Sequence, residues 1–171
     1  MQSSPSMLVY PPFAENYIRE AAGTDPVTVF HLHQDALMEF YTNISPAKSN
    51  YRYAPEKWTI QQVLQHINDT ERVFSYRLLA LCRGDSGPLP PFDENQYASS
   101  SAQSKQDWDS TLAEWVSIRK STEFLITSID DANWEKTIQV GDYSISARAL
   151  GLIITGHPLH HRTILQLRYG C

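Results

Sequence analysis

With 171 residues, the chain is long enough to bury one sizeable core and short for two, so residues 1–171 are read as a single domain. Hydrophobic residues make up 42% and charged residues 19%, and the formal net charge is −5 with its basic residues unclustered. That balance describes a globular protein and argues against nucleic acid or an anionic membrane as a partner. The two cysteines, Cys82 and Cys171, form neither a CxxC nor a disulfide framework, which points to a reducing, cytoplasmic compartment. The opening MQSSPSMLVYPPF lacks the basic start and apolar core of a signal peptide, and no apolar run is long enough to span a bilayer.

Residues 1–12 are a Ser/Pro-rich lead-in, expected to lie on the surface as an arm. Phe13, Tyr17, Ile18 and Ala21 are spaced for a short helix that Gly23 closes. Asp25-Pro26 has the form of an N-cap followed by proline at the first helical position. The helix it opens carries Phe30, Leu37, Phe40, Tyr41 and Ile44 and stops before Pro46. His31 and His33 on this helix point about 200° apart, so they are assigned to the surface or rim and not to a shared metal.

Thr59 and Gln62 then make a capping box for a second long helix, running to about Arg83 with Gly84 as its stop. Its apolar face is Ile60, Val63, Leu64, Ile67, Phe74, Leu78 and Leu81, with His66 at the edge beside Val63 and Thr70. Asp69, Glu71, Arg72 and Arg77 suggest charge pairs along a solvated face, with Asp69 placed to orient a metal ligand. Cys82 falls to the side of the apolar face with no basic cluster around it, so no catalytic role is expected of it. Residues 84–104 are rich in Gly, Pro and Ser and are expected to form a long loop, with Phe92, Asp93 and Tyr97 able to close over a site.

A third long helix is expected from about Lys105 to Ile129, with Trp108, Leu112, Trp115, Thr122, Ile126 and Ile129 as a core stripe. Thr137 to Ile145 alternates around Gly141-Asp142, which suggests a small hairpin or an irregular crossover, and Ser146 would cap the last helix. From Ala147 to Arg168 the apolar positions are Ala147, Leu150, Ile153, Ile154, Ile164, Leu165 and Leu167. At about 100° per residue, His157 and His161 fall at the centre of that stripe. His160 falls at its rim, roughly 60° to 100° to the side. Two imidazoles four residues apart, pointing into a core, form half of a metal site. Two core histidines bonded to neighbours would give the same pattern, and a third ligand from elsewhere decides between them. Four amphipathic helices of this kind call for an all-α four-helix bundle. Sites in such bundles form where helices face one another, so His66 could meet His157 and His161.

Several stretches resemble the DinB/YfiT-like family. They are Tyr53 to Ile60; His66-Ile-Asn-Asp69-Thr-Glu71-Arg72 through Arg77; Arg83-Gly84-Asp85 with Leu89-Pro90, Phe92-Asp93 and Tyr97; and Gly156-His157-x-x-His160-His161 with Arg168-Tyr169. The resemblance covers most of the chain from about Asp25 onward. It implies a four-helix bundle, here with a short N-terminal helix and a long loop after the second bundle helix. It also implies a divalent metal, zinc or nickel, held by three histidines, which in this sequence are His66, His157 and His161. The activities implied are metal-dependent hydrolysis or transfer of a low-molecular-weight thiol, with a small-molecule substrate. His160, Asp69 and Tyr97 are the catalytic candidates, and a homodimer is the expected assembly. A non-enzymatic bundle with a structural, sensory or stress-related metal is the alternative.

One position departs from the family. Many relatives carry an acidic residue where this chain has Pro158. Proline there removes a hydrogen bond to the Ile154 carbonyl and clashes with it, so a kink or bulge is expected near Gly156. Such a distortion would leave His160 open as a substitute ligand, or as a base or donor at the metal's rim.

Overall fold

The computed structural model describes residues 8–101 and 106–171. The beginning of the expected N-terminal arm and the expected helix start at Lys105 lie outside the described residues. The described end of the arm is not loose. The Val9 carbonyl accepts from the Ser146 backbone N–H at 2.9 Å, Leu8 and Tyr10 pack against the core, and Pro11 is buried.

After a 3-10 turn at Pro12–Ala14, helix α1 spans Glu15–Ala21. It is ended by Ala22 in the left-handed region (φ 53°), and not by Gly23 as expected. Helix α2, Pro26–Thr42, starts as its sequence prescribes, with the Asp25 carboxylate accepting from the Thr28 N–H at 2.8 Å. Helix α3, Ile60–Cys82, carries the full capping box. Thr59 Oγ1 accepts from the Gln62 N–H at 3.1 Å, and Gln62 Oε1 accepts from the Thr59 N–H at 2.8 Å.

The expected long loop contains a helix, α4, at Glu94–Ser101. Asp93 Oδ1 accepts from the N–H groups of Asn95 and Gln96 and so opens it. Its only buried residue is Ala98, so it lacks the apolar periodicity by which a helix is recognised. Helix α5, Trp108–Thr127, is capped by Asp107. Strands β1 (Thr137–Val140) and β2 (Tyr143–Ser146) form an antiparallel hairpin pairing Thr137 with Ser146 and Val140 with Tyr143. Ser146 then caps the last helix, α6, Ala147–Tyr169, accepting from the Ala149 N–H at 3.2 Å.

The bundle is a ring in the order α2, α6, α3, α5: α3 packs on α5 and α6, and α2 packs on the same two. The chain therefore brings α3 and α6 together as neighbours although α4, α5 and the hairpin lie between them in sequence. Helix α1 lies along α6. Their approach is close because of Gly156: a Cβ there would sit 1.9 Å from the Tyr17 carbonyl oxygen.

Two large apolar clusters fill most of the interior, with a small third one at Ala21, Val29 and Leu152. Of the large ones, one holds Phe30, Phe74, Leu78, Ile126 and Ile153, and the other Leu37, Tyr41, Leu64, Trp115 and Leu159. Between them lies a buried polar layer. Arg119 Nη1 donates to Glu71 Oε2 at 3.2 Å, while its Nε and Nη2 donate to Gln34 Oε1 at 3.1 and 2.8 Å. Glu71 is therefore not part of a solvated face; it pairs across the bundle. Arg77 is buried too, whereas Arg72 is exposed and pairs with Glu114 on α5.

Pro158 does not introduce a bulge: α6 is α-helical from end to end. The Ile154 carbonyl, deprived of its usual donor, accepts from Arg119 Nη1 at 3.3 Å. The Pro158 carbonyl accepts from Tyr41 Oη at 2.8 Å. Arg119 of α5 thus stands in for the donor that Pro158 lacks, while Tyr41 of α2 adds a further bond one turn on.

A candidate metal centre between two helices

Helix α3 contributes His66, and α6 contributes His157 and His161, one turn apart. Their Nε2 atoms converge. His66 Nε2 lies 3.0 Å and His161 Nε2 lies 3.1 Å from His157 Nε2. His66 and His157 are buried, and His161 is partly so. Trp58 covers the His66 ring at 5.0 Å between centroids, and the Trp58 carbonyl is tied to α6 by Tyr169 Oη at 2.9 Å. His66 looked marginal on its own helix. It is buried because α3 is covered by α5, α6 and this aromatic lid, which together close over more than the apolar stripe.

Hydrogen bonding alone does not explain this arrangement. A neutral imidazole carries one N–H, so a proton on one of three converging nitrogens serves one neighbour and leaves other lone pairs opposed. Burial lowers the pKa of His66 from 6.5 to about 4. Burial, and then the neighbouring histidines, hold His157 and His161 well below the ordinary value as well. Protonation is thus disfavoured, and the neutral form that remains is the one a metal requires. Nitrogens at about 2.0–2.1 Å from a tetrahedral zinc lie roughly 3.3 Å apart, so the observed spacing fits a divalent ion with little adjustment. Among the described residues these three are the group placed to hold one.

The other candidates are placed differently. His160 faces α1, its ring 5.3 Å from that of Tyr17, and it is not among the converging nitrogens. Burial is the main cause lowering its pKa, with Arg19 acting in the same direction and Glu20 against. Asp69 Oδ1 accepts from Gln65 Nε2 at 3.0 Å, and burial raises its pKa. The group beside His66 Nδ1 is instead Thr70 Oγ1, at 3.4 Å. Tyr97, on α4, is exposed and packs edge-on against Phe92 at 5.5 Å, not against the histidines. Cys82 is buried at the end of α3, and burial raises its thiol pKa.

Beside His157 opens a cavity of about 460 Å³. Its walls include Tyr17 of α1, Phe74 and Arg77 of α3, Phe92, and Tyr143 of β2, with Asp93 and Glu94 exposed at its edge. Arg77 was legible as a buried position, since it lies three residues from Phe74 and four from Leu81 on the apolar face. Its charge alone suggested the surface. A cavity of equal volume near Lys48 and Arg162 includes none of the three histidines.

A four-helix ring with a histidine cluster between two of its helices is thus the class of protein defined by the fold and the site. The chain belongs to the DinB superfamily, whose family model matches residues 30–165. No curated protein matches it in sequence. Among solved structures it is similar to YfiT from Bacillus subtilis, described as a probable metal-dependent hydrolase with an unusual four-helix bundle topology. That match has 19% identity and a TM-score of 0.61 over 98% of this chain and 94% of YfiT. It is also similar to a mycothiol-dependent maleylpyruvate isomerase, with 11% identity and a TM-score of 0.65 over 90% of this chain. The alignment covers 60% of the isomerase. The DinB-like protein YjoA from Bacillus subtilis matches at 17% identity and a TM-score of 0.59, over 83% of this chain and 87% of YjoA. At these identities the likeness concerns the fold. No helix among the described residues is long and apolar enough to cross a membrane.

Proposed function

We propose that the chain is a metal-dependent enzyme of hydrolase type, in which His66, His157 and His161 hold a divalent ion, zinc or nickel. The observation that carries this reading is the convergence of three buried-side nitrogens at 3.0–3.1 Å on a helix pair that also borders the cavity. A divalent ion with three neutral imidazole ligands supplies a Lewis acid with a free position, which brings the pKa of a water toward 7 and deprotonates a thiol. The chain's own residues do the rest. Thr70 steadies the His66 ring, Trp58 shields it from solvent, and the aromatic walls receive a small-molecule substrate next to His157.

A second reading, thiol transfer, draws support from the mycothiol-dependent neighbour. Assays of one zinc-loaded preparation separate the two. Turnover of small esters or amides without thiol supports hydrolysis, and turnover only with a low-molecular-weight thiol and an electrophile supports transfer.

The metal assignment is tested by metal analysis of protein purified without a nickel-charged column, since a three-histidine site loads whatever divalent ion is offered. His66→Ala, His157→Ala and His161→Ala are each expected to be folded and metal-poor, and His160→Ala is expected to retain metal. Full retention in His66→Ala would overturn the two-helix site.

A further inference from the structure

Arg77 is a buried cation in the wall of the cavity beside His157. The residue is 2% exposed, and its two assigned acceptors are uncharged. Nη1 donates to Tyr143 Oη at 3.3 Å, and Nη2 donates to the Pro90 carbonyl at 3.1 Å. Its guanidinium lies 5.6 Å from the ring centres of both Phe74 and Phe92. Among the described residues the buried ion pair is Arg119 with Glu71, and no carboxylate comes within ion-pairing distance of Arg77.

A buried charge without a counter-charge is costly, and chains keep such groups mainly where something else pairs with them. A guanidinium has five N–H donors in a fixed fork, more than two neutral acceptors can use. Its planar shape matches a carboxylate in a two-point contact. Phe74, Phe92 and Tyr143 surround it and also line the cavity, so the same chamber offers an apolar body site and a cationic end. Asp93 and Glu94 carry the opposite charge at the edge. They are exposed, where water and salt screen them, whereas the field of Arg77 acts through a wall of low dielectric.

We propose that the cavity takes a small ligand with an aromatic or other apolar body and one carboxylate. The carboxylate pairs with Arg77, and the body rests among Phe74, Phe92 and Tyr143 and reaches toward His157. This rests on the cavity being the substrate chamber of the metal site, but the anion contact itself requires no metal. Arg77 is then the residue that selects the substrate's charge.

The experiment uses the metal-stripped 171-residue chain, so that a metal cannot attract the anion. Two probes of similar shape, 3-phenylpropionate and neutral 3-phenylpropan-1-ol, are titrated by calorimetry and by NMR of the aromatic side chains. The carboxylate is expected to bind about tenfold or more tightly than the alcohol, the usual scale for a charge-assisted contact. Arg77→Gln is expected to erase that preference and Arg77→Lys to retain part of it. Equal affinity of the native protein for both probes overturns the proposal, whether or not either variant folds. An unchanged preference in Arg77→Gln, or NMR contacts that place the carboxylate probe away from Phe74 and Tyr143, overturns it as well. Metal loading of the same preparations is scored separately. Failure to load with the preference intact defeats the metal reading alone, and normal loading with no preference defeats this proposal alone.

Discussion

Two of the places where the bundle buries charge and polarity are built in opposite ways. In the layer between the apolar clusters, Arg119 meets Glu71, Gln34 and the Ile154 carbonyl, so its charge is compensated inside the chain. Around His157, three ring nitrogens converge that neutral imidazoles cannot all satisfy by bonding to one another, and Arg77 presents its cation to neutral acceptors only. A polar group whose partners are all internal holds helices in place. A polar group that its own chain leaves under-partnered keeps the capacity to pair with something from outside. The two clusters share helices α3 and α6, so the first sets the geometry of the second.

The sharpest way to break this comparison is to remove one member of the compensated pair. Glu71→Ala is expected to cost about 3–5 kcal/mol, because it strands Arg119. Replacing both partners, with Glu71→Met and Arg119→Leu, should cost less than the single change; urea unfolding of the three proteins measures the difference. A single change with no effect would mean that the layer is not a structural anchor.

Acid should act on the other cluster. His66 has a folded pKa of about 4 against an ordinary 6.5, so between these values the unfolded chain holds more protons than the native one. Metal-free protein is therefore expected to be fully stable above pH 6.5 and to lose stability as pH falls toward 4, by on the order of 3 kcal/mol from this residue alone. Metal should be released over the same range. Thermal unfolding between pH 4 and 7 of the native protein and of His66→Gln shows whether the loss belongs to this ring.

Gly156→Ala tests the contact that holds α1 against α6. A methyl at this position meets backbone, which cannot swing aside, and overpacking of this kind typically costs about 1–3 kcal/mol. Displacement of Tyr17 should accompany the loss and be visible in its NMR contacts to His157 and His160. The smallest effect is expected from Thr70→Val. It removes the group beside His66 Nδ1 and should weaken metal binding by about tenfold, the low end for an outer partner, since that contact is long. Competition with a chelator measures it.

How far the chain could be read in advance depended on whether the deciding contact was local. The caps at Asp25, Thr59 and Ser146, the hairpin around Gly141-Asp142 and the pairing of His157 with His161 are all set within a few residues, and each is present in the structure. Glu71 and Arg77 carry charges that point to a solvated face, but their phase on α3 puts both on its buried side. Helix α4 has almost no apolar face to announce it. The fate of the Ile154 carbonyl opposite Pro158 depended on Arg119, which comes from another helix. No local rule reveals a donor that arrives only when the bundle closes.

The ring order of the helices has a further consequence for folding. His66 and His157 are 91 positions apart, and they meet because α3 and α6 are neighbours in space. An ion shared between them would act as a reversible cross-link that closes a very long loop. In the chain-entropy picture, a covalent link over that separation removes about 4–5 kcal/mol of freedom from the unfolded state. Occupancy of the site and persistence of the bundle would then be two faces of one equilibrium. The protein's lifetime in its surroundings would follow the supply of metal as well as the strength of its core.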